Sequence, residues 1–301
     1  MNSTHVFIKG ISGRGIFYRS EDLIVLITII SVLVRKMGLT IIAFCPMFNH
    51  IHLLFKDIGL KELRPFIMRL VRLFVKEYNT GYGRSGSVFE RPFGYSFKKG
   101  LKITLGSVAY VFNNPVAGNL KKNANEYKWN LLAYRNCRNP YSGKFWKKNC
   151  RKELRNAADM VDYLYREGRY LTYRVLNGIL NDLDADEKKQ ITDYILFKYS
   201  FVSYKFLEEL YGSWERAIVA INSNAGSEYD IKDEYGDHSC YRKMLKIVMD
   251  LGYCDNKLNF DALDEYQKGQ LYYLIKAKVN APTSCIKKFL HFDLDKTQKN
   301  Q

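Results

Sequence analysis

Two imidazoles one residue apart, His50 and His52, and a phenol four residues before an amide, Tyr110 and Asn114, are the side chains best suited to chemistry. In a strand, residues i and i+2 project from one face, so His50 and His52 stand together while Ile51 points into the opposite, packed face. Two imidazoles a few ångströms apart are half of a divalent-metal site. On a helix, Tyr110 and Asn114 share one face, a turn apart. A phenol beside a carbonyl-type ligand suits metal-assisted attack on a phosphodiester: it is a poor nucleophile until deprotonated or held in line, and a divalent cation polarises the phosphate. Each half also has a plainer reading. A bare His-x-His is more often two polar residues on a solvated strand, and Tyr110 is one of 23 tyrosines, most of which must pack.

The elements that position these residues are legible in the first half. His5–Lys9 alternates and carries β-formers, so it reads as a first strand, and 10–15 is a glycine-rich loop. Ser20, Glu21 and Asp22 open a helix that runs to about Lys36, closed by basic residues and Gly38. Leu39–Cys45 reads as a buried strand ended by Pro46, and His50–Lys56 as the next. Leu60–Tyr78 has helical apolar spacing, with Lys61, Arg64, Arg69, Arg72 and Lys76 on its other face. Ser87–Lys98 reads as one or two short strands and Leu101–Phe112 as a helix ended by Asn113-Asn114-Pro115. The order β-α-β-β-α-β-α predicts an α+β fold: a ferredoxin-like antiparallel sheet with helices on one face.

Charge separates the halves. Residues 1–129 hold 19 basic and 7 acidic side chains, and the rest hold 28 and 24, so the first half is the polyanion-facing part. Six scattered cysteines without a CxxC pair suit neither a zinc site nor a disulfide scaffold, and a reducing, cytoplasmic setting follows, at the nucleoid when bound to DNA. The opening residues read as a strand and not a signal peptide. Leu23–Val34 is the one membrane-like run, but its length as a helix is about 18 Å against a bilayer core of roughly 30 Å, so it is expected to be a core helix and no membrane partner is expected.

Residues 131–155 form a basic, aromatic connector, and 156–301 a mostly helical C-terminal domain. Helices are expected over 155–168, 170–181, 186–199, 203–210, 213–222, 239–250, 261–278 and 282–290. The last pair, within 263–291, has helix-turn-helix proportions, a weak signal shared by any two short amphipathic helices.

The segments 5–17 (HVFIKGISGRGIF), 41–55 (IIAFCPMFNHIHLLF), 83–93 (GRSGSVFERPF), 110–120 (YVFNNPVAGNL) and 126–129 (EYKW) together resemble the single-tyrosine HUH transposases, in the branch of REP-associated tyrosine transposases. They occur in that family's order over residues 5–130, and the helical extension around 210–235 looks like that of Bacteroides-type bacterial members. The resemblance implies an HUH catalytic domain over 1–130. It makes Tyr110 the nucleophile and places a divalent metal, Mg or Mn, on His50, His52 and Asn114. The reaction it implies is metal-dependent nicking and strand transfer on single-stranded, hairpin-flanked DNA through a 5′-phosphotyrosine. No small-molecule cofactor is expected, and both monomers and homodimers occur among such enzymes. Two departures stand out: the family's Val-Arg-Ala-Gly after Asn-Pro is here Val116-Ala117-Gly118, and Ser87 stands where a histidine is often found.

Arg14, Arg84 and Arg91, in glycine-flanked loops, and Lys121 and Lys122, beside the missing arginine, are the expected DNA contacts, with Phe89, Phe93 and Tyr95 as candidates for base stacking. Residues 81–86 match GxGxxG, but they follow a helix and precede a strand, the reverse of a dinucleotide fingerprint. Glu228, Asp230, Asp233, Glu234, Asp237 and His238 lack calcium-loop spacing and read as a solvated segment. The alternative function is a non-catalytic DNA hairpin-binding protein derived from a transposase. An RNA-binding sheet is less favoured, because the aromatic pattern of RNA-recognition strands is not visible.

Overall fold

The computed structural model describes residues 1–223, 239–252 and 260–292; the acidic cluster at 228–238 and Cys254 lie outside them. Four strands, β1 (Asn2–Lys9), β2 (Ile41–Pro46), β3 (His50–Lys56) and β4 (Gly94–Lys99), form one antiparallel sheet in the order β2-β3-β1-β4. Helix α1 (Ser20–Met37) connects β1 to β2, and α2 (Leu60–Tyr82) connects β3 to β4, so each joins two strands separated by a third. Helix α3 (Leu101–Ala117) follows β4.

Register decides which residues share a face. Phe7 pairs with His52, Lys9 with His50 and His5 with Leu54, which sets His5, His50 and His52 on one side of the sheet. Val6, Ile8, Ile51, Leu53 and Phe55 occupy the other, where α2 packs, as the 5.3 Å contact between the Phe55 and Phe66 rings shows. Both faces carry helices, which corrects the expectation of helices on one face. Helix α3 lies across the histidine face, with Ser3 Oγ 3.1 Å from Thr104 Oγ1 and Tyr110 against His5 and His52. The physical reason is its composition: α3 buries an unbroken run from Ser107 to Pro115, and only a second sheet face can take it.

Helix α1 is buried at every position from Asp22 to Val34, with α2 and later helices packed against it. Asp22 fixes its start by accepting the N–H groups of Tyr18 and Arg19 at 2.9 Å, and Gly38, at φ 64°, closes its end on Val34 O. No helix among the described residues is long and apolar enough to cross a membrane. The GxGxxG run ends α2, with Gly83 at φ 61° as its left-handed cap, so it follows a helix as expected. Where one or two short strands are expected over 87–98, Phe89 makes an isolated bridge to Gly10 and β4 covers 94–99, with Pro92, which has no N–H for a ladder, between them. Gly94 sits opposite Phe7, whose ring comes within 1.8 Å of the place a Cβ would take, so no larger residue fits there.

The rest is helical: α4 (Lys152–Arg166), α5 (Tyr173–Asn181), α6 (Ala185–Lys198), α7 (Tyr204–Tyr211), α8 (Trp214–Ser223), α9 (Ser239–Asp250), α10 (Glu265–Lys278) and α11 (Thr283–Leu290). Helices α5 and α6 pack on α1, and α8 backs α3. Residues 202 and 203 cover the β2 edge, with Ser203 N–H donating to Ile41 O at 2.9 Å. The 131–155 connector is pinned to α6 by buried Asp193, which accepts from Tyr134 Oη at 2.8 Å and from Tyr141 N and Ser142 Oγ at 2.9 Å.

Candidate active site

The site is assembled from two central strands and one helix. His50 and His52 stand on β3 with ring centroids 4.8 Å apart at 90°. From β1, His5 joins them: its Nε2 lies 3.0 Å from His52 Nδ1, and the rings stack at 5.1 Å. From α3, Tyr110 meets both strands edge-on, 5.7 Å from His52 and 5.8 Å from His5. All but His50 are nearly sealed: His52 is 0 %, His5 1 %, Tyr110 4 % and Asn114 5 % exposed.

The local sequence explains how Asn114 is aimed. Pro115 supplies no N–H to Val111 O, and the Asn114 side chain folds back over that turn, donating from Nδ2 to Tyr110 O at 2.9 Å and reaching Val111 O at 3.5 Å. With its NH₂ so engaged, the amide turns Oδ1 toward His52.

Tautomers follow from the same bookkeeping. Asn49 donates from Nδ2 to Gly13 O at 2.9 Å, which turns its Oδ1 toward His50 Nδ1 at 2.8 Å. His50 Nδ1 must therefore carry hydrogen, and its buried Nε2 carries the lone pair. His52 Nδ1 lies against His5 Nε2, and its buried Nε2 has no hydrogen-bond partner of ordinary geometry. Burial, with His50, His5 and Lys9 nearby, holds the His52 pKa well below the usual imidazole range, so the ring is neutral at pH 7. A neutral ring with an orphaned nitrogen is the form that ligates a cation.

The residues present fit a divalent metal: two imidazole Nε2 atoms and one amide oxygen. Among the described residues no three His, Cys, Asp or Glu side chains converge as a metal cluster, so a metal here would need the Asn114 amide as its third donor. Such a donor set is uncharged and leaves a cation's full charge for an anionic ligand.

No known family profile matches the chain, and no curated protein matches it. Among solved structures the chain is similar to a REP-associated tyrosine transposase bound to a REP hairpin, at 15 % identity over 42 % of this chain and 73 % of that one, with a TM-score of 0.33.

The other expected contacts scatter. Arg14, partly exposed, and Arg84, largely covered, are paired with Asp261, at 3.8 Å and 3.1 Å. Arg91 is exposed in the loop before β4, and Lys121 and Lys122 are exposed just past the end of α3. Of the aromatic trio, Phe89 is core, packed 5.6 Å from Phe74 and unable to stack on a base; Phe93 is half-buried and Tyr95 is exposed. The terminal helix pair also buries its apolar side, with Phe289 of α11 seated against Tyr18 and Phe48. Sequence reasoning missed His5, Asn49 and Asp261. Only His5 left a signal, as a polar residue in phase with Phe7 on an alternating strand.

Proposed function

We propose that residues 1–130 form a ferredoxin-like HUH nuclease that nicks single-stranded or hairpin DNA and transfers the strand through Tyr110. The observation that carries this reading is the placement of one buried tyrosine edge-on against His52, a turn from Asn114, over two imidazoles, one of which, His50, has its Nε2 held as a lone pair by Asn49. The basic bias of the same residues suits a polyanionic substrate. The resemblance of residues 5–130 to single-tyrosine HUH transposases supplies the reaction class.

His50, His52 and Asn114 would hold the divalent cation, Mg or Mn. When bound it would polarise the scissile phosphate and offset the charge that builds on it. Tyr110 Oη forms a bond to phosphorus as the bond to the 3′ oxygen breaks; the phenol gives up its proton and the 3′ oxygen gains one. The strand's 5′ end stays on the tyrosine as a phosphodiester, so a second 3′-hydroxyl can reverse the step without an outside energy source. Asn49 and His5 keep the two ligand rings in the required tautomer, and the sealed setting of Tyr110 limits competing attack by water.

The test is incubation of the full chain with a labelled library of single-stranded hairpins, with and without magnesium or manganese, followed by denaturing electrophoresis. A metal-dependent, protease-sensitive adduct that vanishes in Tyr110→Phe and in His50→Ala/His52→Ala is the expected result. Tight binding across the library with no adduct would favour the non-catalytic hairpin reader.

A further inference from the structure

A second group of charged side chains meets at the glycine-rich loop. Arg14 Nη1 and Arg84 Nη2 lie 3.8 and 3.1 Å from the two oxygens of Asp261, and His291 Nδ1 lies 3.0 Å from the oxygen that faces Arg14. His291 is fixed through Nε2, 3.0 Å from Tyr18 Oη and 3.1 Å from Gly15 O. A cavity of about 40 Å³ lies among Arg14, Arg84, Tyr78 and His291. That is room for roughly one water-sized oxygen. Nε of Arg84 is buried and makes no hydrogen bond, so the guanidinium keeps a donor that the carboxylate does not satisfy. A phosphate has more acceptor oxygens than a carboxylate and matches arginine's fork of donors. The group is also joined to the candidate active site, because Gly13 in the same loop accepts from Asn49, whose Oδ1 faces His50.

We propose that Arg14, Arg84 and His291 form a binding site for a DNA backbone phosphate, and that Asp261 occupies it as an internal stand-in which the phosphate displaces. The inference rests on the proposed DNA reading for the identity of the ligand. It gives the C-terminal segment a role in substrate entry. The loops around α10 and α11 bring Asp261 and His291 onto the nuclease half, so an incoming strand competes with the chain's own carboxylate. Discrimination follows, since only a ligand that fills both arginines and the orphaned Nε outcompetes a tethered carboxylate.

Affinity for a short labelled single-stranded oligonucleotide tests the site, by fluorescence anisotropy with the full chain carrying Tyr110→Phe and with no divalent metal. Asp261→Asn is expected to bind about tenfold tighter, the scale of one charged hydrogen bond that no longer has to be broken. Asp261→Glu keeps the carboxylate and should match the parent. Asp186→Asn, which changes net charge equally at an exposed site paired with Lys189, should gain much less. Adding Arg84→Gln to Asp261→Asn should erase the gain. A gain no larger than that of Asp186→Asn, an equal gain in Asp261→Glu, or a gain that survives loss of Arg84 would each overturn the site. The adduct assay on unaltered Tyr110 is scored separately, so no tightening beside a normal adduct rejects this site alone. Tightening beside a chain that never forms an adduct rejects the nuclease and keeps the site.

Discussion

Nε2 of His5 stands 3.0 Å from Nδ1 of His52, in the stacked pair that β1 and β3 bury beneath α3. For His52 to offer Nε2 as a lone pair, its Nδ1 must donate to His5, whose own proton then sits on Nδ1. One strand thereby sets the protonation pattern of the proposed ligand on its neighbour. Two pairs share the arrangement, since Asn49 does for His50 what His5 does for His52.

His5→Leu should therefore weaken manganese binding by about 10- to 100-fold, the usual scale for removing a partner that orients a metal-ligating histidine. It should also cost roughly 1–3 kcal/mol of stability, because His52 Nδ1 would be buried without a partner. His5→Gln, which restores an acceptor, should recover part of both. Calorimetric titration of the protein with manganese, beside urea unfolding, checks this; unchanged affinity in His5→Leu would remove the orienting role.

Asn49 is shared between the ring and the glycine loop, and two substitutions separate these contacts. Asn49→Asp keeps the acceptor for His50 but loses the donor to Gly13, so metal affinity should hold while residues 10–15 exchange amide hydrogens faster. Asn49→Leu loses both and should fail in both measurements, with affinity down by about tenfold or more. Equal metal affinity in all three proteins would show that the His50 tautomer is set elsewhere.

The contrast between His50 and His5 shows where sequence reading stops. The spacing of His50 and His52 carries its own geometry, because strand alternation is local. The pairing of His5 with His52 depends on the register between β1 and β3, set by the packing of Val6, Ile8, Ile51 and Leu53 on the far face. Tyr110 and Asn114 were legible as a helical pair, but not the face α3 would cover, since an apolar helix fits either side until the others have taken theirs. Arg14 and Arg84 stand in glycine-flanked loops legible from the sequence, yet their partner Asp261 comes from the other end of the chain, and nothing local announces it. Phe89 was read by type alone and proved to be core.

Asp22 joins the N-terminal half to the helical half. It is fully buried and accepts from Tyr82 Oη at 2.8 Å and Tyr173 Oη at 2.7 Å, besides the two backbone N–H groups. Burial raises its pKa, while Arg19 and these hydrogen bonds oppose the rise. Tyr173→Phe removes one donor to a buried carboxylate and should destabilise the chain by about 1.5–3 kcal/mol in urea unfolding. Tyr266→Phe, on an exposed tyrosine, should leave the midpoint unchanged. Equal midpoints for the two variants would mean that Asp22 is held well enough without Tyr173.

Asp261 predicts how the terminal helices respond to acid. Its hydrogen bond to His291 holds its pKa down at about 2, with Arg84 and Arg14 adding to the effect against partial burial; Tyr18 and Tyr78 also lie near and are neutral in this range. An unfolded or undocked aspartate titrates near 3.9. A carboxylate whose folded value is depressed contributes stability that is complete above the undocked value and disappears as pH falls through the folded one. Docking of residues 260–292 should thus be constant above pH of about 5 and weaken progressively from about pH 4 toward pH 2. Hydrogen exchange of peptides covering 283–292, read against peptides from α1, separates this local loss from general acid unfolding. Asp261→Asn should exchange faster at pH 7 and show a flatter profile between about pH 4 and 2. A profile identical to that of the unaltered protein would place the acid-sensitive contact outside the Arg14–Arg84–His291 group.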